Sequence, residues 1–432
     1  MKHCSPASKL TSEPARSGAR RILLLLTLAG PLVSALAYAS GSQLTNSEML
    51  PSPAYDAGNR VPGRKDWALG DGRAETFRNL EEILPTRRVA PPPHASALRE
   101  SAAPFKVTYS YGGATHTVAD FVARTDTTAL LVLKNDQILF EGYYQGADRQ
   151  DLFMSFSSGK SVTSTLVGLA VSEGRIASIQ DPIIRYLPEL KDSAYEKARI
   201  IDVLQMSSGT SYTEEYTNPE SDIAKFVDIY DSGTGGAYDF ARSFKSARAP
   251  GEKFYYASAD TLILGELVAR VTGQSLSAYM SDKLWKPMGA QAAARWILDS
   301  AGSRGREMAM GGMQAQLRDY GRFGMLFANG GRMGDKQVVP RNWVEEATVP
   351  RAPYLEYGKL IPDYPLGYGY QWWCIPGPHH PFTAEGIHGQ FVMVDPVEHL
   401  VVVKLSSWRE AWDDAKDAET RAFFQAVADA YR

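Results

Sequence analysis

Cysteine is nearly absent from this chain: there are two in 432 residues, Cys4 and Cys374. Cys4 lies ahead of an apolar run that reads as a cleavable leader, and not at a lipidation position after it. With Cys4 removed, Cys374 has no intrachain partner, so no disulfide framework staples the fold. Cys374 follows Gln371-Trp372-Trp373 and reads as a buried, apolar-like side chain rather than a nucleophile. An excess of charge of one sign is also missing. The formal net charge of −3 gives no footing for nucleic acid or an acidic membrane surface as partner. Internal repeats, a glycine-rich phosphate loop and Cys/His metal spacing are absent as well. No cofactor and no metal are expected.

Residues 1–39 have the parts of a signal peptide. Arg20-Arg21 is a basic n-region. Ile22 to Ala35 is an apolar run too short for a comfortable membrane span. Ala37-Tyr38-Ala39 then offers a small-x-small cleavage site, with Ser40 as the new N-terminus. The alternative is an uncleaved N-terminal anchor. Cleavage removes a net +4 (Lys2, Lys9, Arg16, Arg20 and Arg21 against Glu13), taking −3 to −7. The expectation is a periplasmic or secreted protein with no membrane segment after cleavage.

What is present is enough apolar material for a large core, 44% of residues, of which the aromatics are 11% of the chain. Residues 40–104, rich in Pro, Ser, Arg and Ala, read as an irregular arm. One helical patch, Ala74 to Leu84, ends at Pro85, and Trp67, Phe77 and Leu80 give the arm something to dock with. Thr127 to Tyr144 reads as a hairpin turning at Lys134-Asn135-Asp136-Gln137. A helix runs from the Ser157 segment to about Ser172, stopped by Glu173-Gly174. Further helices are expected over Asp222 to Tyr230, Ala259 to Val271 and Met310 to Asn329. Tyr368 to Trp373, Gln390 to Asp395 and Leu400 to Leu405 read as strands, and Ala411 to Tyr431 as a last helix. Strands, a helical middle, strands and a helix imply an α+β fold. An antiparallel β-sheet would be flanked by helices, with a helical lobe at about 157–340 inserted between sheet segments of a body spanning 105–432. A site would lie between the lobes.

Three segments carry chemistry. Ser157-Ser158-Gly159-Lys160 places a hydroxyl and an amine three residues apart, one helical turn and one face, the Ser-x-x-Lys arrangement. A serine hydroxyl is a poor nucleophile until something takes its proton. Lys160 can do so only when neutral. Lowering its pKa from about 10.4 to ~7–8 asks for roughly 3–5 kcal/mol of bias against the ammonium. Burial and the positive end of the helix would supply it. Tyr256, after Pro250-Gly251 and just before a helix, is placed to be a second acid/base, as tyrosinate near Lys160. The alternative is that Tyr255 and Tyr256 are core aromatics. Gly386-Ile387-His388-Gly389 precedes a strand, where small residues let a substrate lie along the edge. A backbone N–H there, with that of Ser157, would make an oxyanion hole. A rival reading is a Ser-His-Asp triad with His388 or His399 as base. Ser155 stands where the Gly-x-Ser-x-Gly elbow needs glycine, and that mechanism has no use for Lys160.

From about Thr127 to Trp408 the chain resembles the serine hydrolases built like class C β-lactamases, closest to the 6-aminohexanoate-dimer hydrolase branch. Ser157-Ser158-Gly159-Lys160-Ser161 matches its first element. Leu187-Pro188-Glu189-Leu190, Leu204 to Gly209 and Pro250-Gly251-Glu252-Lys253-Phe254 match its spacers. Tyr256-Ala257-Ser258 is similar to its Tyr-x-Asn/Ser element, and Gly367 to Trp373 is familiar from the same branch. The resemblance implies Ser157 as acylated nucleophile, Lys160 as base, Tyr256 as proton shuttle, and the N–H groups of Ser157 and Ile387 as oxyanion hole. It puts Ser258, Gly386 and His388 along a small-molecule amide or ester substrate. Two departures stand out. The third element, usually Lys-Thr-Gly, is Ala384-Glu385-Gly386, and Ser258 replaces asparagine. Both point away from β-lactams and toward an esterase or amidase. A register with Gly389 as the third glycine would move the oxyanion donor to Gln390. A β-lactamase, a D-amino-acid peptidase and a non-catalytic penicillin-binding-like module are the alternatives.

Overall fold

Side chains alternate along a strand, so a strand buried throughout needs cover on both faces. The computed structural model describes residues 70–432. The expected leader, the first part of the arm and Trp67 lie outside the described residues. Eight strands form the main sheet: β1 (Arg99–Glu100), β2 (Thr127–Lys134), β3 (Gln137–Tyr143), β4 (Gly367–Tyr368), β5 (Trp373–Cys374), β6 (Phe382–Gly386), β7 (Gln390–Asp395) and β8 (Leu400–Ser406). Their order is β4-β5-β6-β7-β8-β2-β3-β1. All neighbours are antiparallel except β1 and β3. The sheet is thus assembled from the beginning and the end of the body, as the strand–helix–strand order implies.

Four helices position the site: α1 (Gly159–Ser172), α2 (Ser258–Thr272), α3 (Leu317–Ala328) and α4 (Asp414–Ala430). Leu131 and Leu133 of β2, Val392 of β7 and Val401 of β8 share one core with α3, α1 and α2. Leu130 and Val132 share a second with Phe391, Phe423 and Val427, under α4. Glycine lets α3 lie close on the sheet. A Cβ at Gly321 would stand 2.6 Å from Leu131 Cδ2, and one at Gly324 2.5 Å from Val401 Cγ1.

Helix α1 is buried over almost its whole length although it is rich in hydroxyls. Buried hydroxyls need partners, and these find backbone carbonyls of surrounding loops. Ser161 donates to Gln371 O at 2.6 Å, Thr163 to Ala309 O at 2.8 Å and Ser164 to Tyr370 O at 2.7 Å.

Three expectations are corrected. Tyr368 to Trp373 is not one strand. It turns at Gln371, whose φ is +63° and whose carboxamide accepts from Thr261 at 2.6 Å and donates to Leu204 O at 2.8 Å. Those two bonds tie the loop to α2 and to Leu204 and outweigh the alternating pattern. The helix expected from Met310 starts at Leu317, because Met313–Ala315 is a strand bridging Phe153–Met154 and Ala294–Ile297 in a second, four-stranded sheet. The arm's helical patch is a single turn, Arg73–Thr76, and a 3₁₀ turn, Leu80–Glu82. Pro85 is followed at once by a strand, Thr86–Val89, paired with Ala294–Ile297. Phe77, Leu80 and Leu84 pack on Met154, Phe156 and Ile297, directly beside the Ser157 segment.

Candidate active site

Ser157 stands on a strained turn. The strand Phe153–Met154 leads into Ser155, whose N–H donates to Met313 O at 2.8 Å and whose hydroxyl donates to Phe156 O at 3.0 Å. Phe156 then adopts φ +44°, costly for a bulky residue. Its ring is held edge-on to Phe77, centroids 4.9 Å apart. This turn delivers Ser157, half-buried, to the mouth of α1.

Lys160 lies one turn on, 1% exposed. Its Nζ donates to Ser157 Oγ at 2.7 Å and to Met310 O at 2.6 Å. Burial pulls the ammonium down to about 8, opposed by the Glu214 carboxylate. At that value a useful fraction of the amine is neutral near neutral pH and can accept the Ser157 proton.

Tyr256 enters just before α2. Its ring centroid is 5.2 Å from Lys160 Nζ, and the Ser157 side chain faces its hydroxyl. Burial first, and then Glu214, push its ionisation well above the ordinary range. The tyrosinate expected near Lys160 is therefore corrected. Burial favours the neutral phenol over the tyrosinate. Trp373 stacks on the far side, centroids 5.8 Å apart and planes 18° apart.

Glu214 and Tyr216 are the residues that sequence reasoning missed. Glu214 accepts from Tyr216 Oη at 2.6 Å and from Ser258 Oγ and N, both at 2.7 Å. The Tyr216 hydroxyl also reaches Ser157, although the ring is 41% exposed. Both sit in an irregular loop with no periodicity to mark them. Ser258, expected along the substrate, is instead bonded to Glu214.

Gly386 comes from the end of β6. A Cβ there would stand 2.5 Å from Ser155 O and 3.0 Å from Ser157 N, so glycine alone allows the strand this close. Gly389 lies under the Trp408 ring instead, and Gln390 is the ladder partner of Gly386. Ile387 follows Gly386 in a three-residue turn. Next in that turn, His388 donates its N–H to Ala411 O at 2.8 Å. The His388 ring packs on Phe77 and Phe156, with Nδ1 2.9 Å from Trp408 O. Burial lowers its pKa to about 4. It forms wall rather than cleft surface. His399 bonds Asn329 at 2.8 Å in the turn at the other end of β7 and β8, about 17 Å of strand away. Neither histidine is on Ser157. Glu385, in the place of the third-element threonine, is buried, accepts from Tyr364 Oη at 2.9 Å and lies among Asp417 and Arg421.

A Ser-Lys-Tyr cluster at the end of an antiparallel strand, its lysine buried, defines a serine hydrolase of the β-lactamase fold. The β-lactamase family profile matches residues 114–426, and the chain belongs to that family. Among its relatives, the 6-aminohexanoate-dimer hydrolase of Paenarthrobacter ureafaciens is 31% identical over 368 residues, 82% of this chain and 88% of that protein. In fold, a Bacillus anthracis protein provisionally described as a 6-aminohexanoate-dimer hydrolase superposes with a TM-score of 0.75 at 23% identity, covering 87% of this chain and 97% of that one. A D-stereospecific amidohydrolase from Streptomyces sp. gives 0.52 at 16% identity, covering 69% and 95%.

Proposed function

We propose that this protein is an exported hydrolase that cleaves an amide or ester bond of a small molecule through an acyl-enzyme on Ser157. The observation that carries the reading is the 2.7 Å contact between the buried Lys160 amine and Ser157 Oγ. Neutral Lys160 takes the hydroxyl proton as Oγ bonds to the substrate carbonyl carbon. The carbonyl oxygen becomes an oxyanion between the Ser157 and Ile387 N–H groups. Tyr256 gives its proton to the leaving nitrogen or oxygen, the C–N or C–O bond breaks, and Lys160 reprotonates Tyr256. Water then attacks the acyl carbon, and its proton passes to the same groups as Ser157 leaves.

An amide or ester is favoured over a β-lactam because the third element carries no lysine. Its middle position is the buried Glu385, bonded to Tyr364, which offers no cation to a β-lactam carboxylate. The Paenarthrobacter relative makes linear amides of 6-aminohexanoate the first substrates to try. Export rests on the Arg20-Arg21, Ile22 to Ala35 and Ala37-Tyr38-Ala39 pattern, and fractionation with N-terminal sequencing tests it. Intact-mass labelling with a fluorophosphonate tests the chemistry. One adduct on wild type is expected, lost in Ser157→Ala and strongly slowed in Lys160→Ala. A folded wild type with no adduct would overturn the reading.

A further inference from the structure

We infer that Gln390 is the positioning residue of the oxyanion turn, holding the Gly386–Ile387 peptide in place through its side chain rather than its backbone. The inference rests on the hydrolase reading above. The turn from β6 to β7 has three residues, Ile387, His388 and Gly389, and the last two take positive φ, +59° and +85°. Such a turn leaves its carbonyls outside the β6–β7 ladder, and of these His388 O also accepts the Trp408 N–H at 3.2 Å. Gln390 is 2% exposed. Its Nε2 donates to Ile387 O at 3.3 Å, His388 O at 3.0 Å and Ser406 O at 2.9 Å. Its Oε1 accepts the Ser406 N–H at 3.2 Å.

Only a primary amide brings two donors and an acceptor in one plane, and here all of them are engaged. Two of the carbonyls belong to the peptides that follow the oxyanion donor. Fixing them fixes the rotation of the Ile387 backbone and the aim of its N–H. The other two contacts anchor the turn to β8 where the ladder with β2 shifts register, between Leu405 and Ser406. Oxyanion stabilisation depends on donors that are already aimed and need no reorganisation, so a loosened turn costs rate rather than substrate affinity.

The test compares wild type with Gln390→Glu and Gln390→Met. The first is isosteric and sets a carboxylate against three carbonyl oxygens. The second keeps the length and removes every hydrogen bond. Rates are expressed per Ser157 titrated by fluorophosphonate, so misfolded protein drops out. With a p-nitrophenyl ester, kcat is expected to fall about 10- to 100-fold in both. KM should stay within about 3-fold and the pH midpoint set by Lys160 should not move. Affinity for a tetrahedral boronic acid should fall in step with kcat/KM. If one variant does not fold, the other decides. Wild-type kcat per titrated serine, whatever the loss in Tm, would reduce Gln390 to a structural residue and overturn the inference while leaving the hydrolase reading intact. A wild type that neither labels nor turns over overturns both.

Discussion

In the proposed mechanism, the proton on Lys160 sets when the site works. Burial holds the amine at about 8 against an ordinary 10.5, and a lysine acts as base only when neutral. The fluorophosphonate labelling rate and kcat/KM are therefore expected to rise with pH and level off above about 8. A profile flat between pH 6 and 9 would remove Lys160 from the base role. The same shift affects stability. The folded state disfavours the charged amine by about 3 kcal/mol, a cost fully present below pH 8 that disappears as pH climbs toward 10.5. Ser157, Lys160 and Gly386 were legible because chemistry fixed their spacing or size. Glu214 and Tyr216 were not, since a loop carries no period and their roles exist only through bonds to Ser258 and Ser157. Tyr256 was legible as a position but not as a charge state, which depends on how deeply the phenol sits.

Helix α1 is buried among the surrounding loops, and its hydroxyls are what hold it there. Ser161 satisfies the Gln371 carbonyl, and that carbonyl has turned away from any strand. Replacing Ser161 by alanine should leave this buried acceptor without its donor and destabilise the protein by about 1–3 kcal/mol in urea unfolding. A change below a few tenths of a kcal/mol would mean that the loop re-forms elsewhere. The long elements, β2, β7, β8, α2 and α4, were readable from their periodicity because each faces a core along its whole length. The short ones were not. Met313–Ala315 has three residues and is a strand only because Phe153–Met154 and Ala294–Ile297 offer it edges from either side. Tyr368 to Trp373 alternates on paper, but the bonds made by Gln371 override a pattern that sheet pairing alone would have favoured.

At the scale of the whole molecule, burial acts on several acids among the described residues. Burial raises Asp260 to about 7 and pushes Glu385, beside Asp417, and Asp417 itself above the usual carboxylate range. Glu385 Oε1 and Asp260 Oδ2 have no hydrogen-bond partner among the described residues, while Asp417 is paired with Arg421. The folded state then binds protons that the unfolded chain has lost. The stability these groups contribute is complete below about pH 4 and drains away as pH rises through 6 to 8. Urea midpoints are expected to fall between pH 5 and pH 8, and Glu385→Gln should flatten that fall and raise the pH 8 midpoint. An unchanged slope would show that Glu385 is ionised in the folded protein.

The main sheet draws its strands from both ends of the body, and this sets a timetable during synthesis. Ser157 leaves the ribosome roughly 230 residues before Gly386. At about 5–20 residues per second, the hydroxyl waits some 10–50 s for the strand that completes its surroundings. Until then there is a serine and a lysine but no place for a carbonyl oxygen to settle. A nascent chain cannot act on whatever it meets, and activity begins only when the last fifth of the polypeptide has arrived.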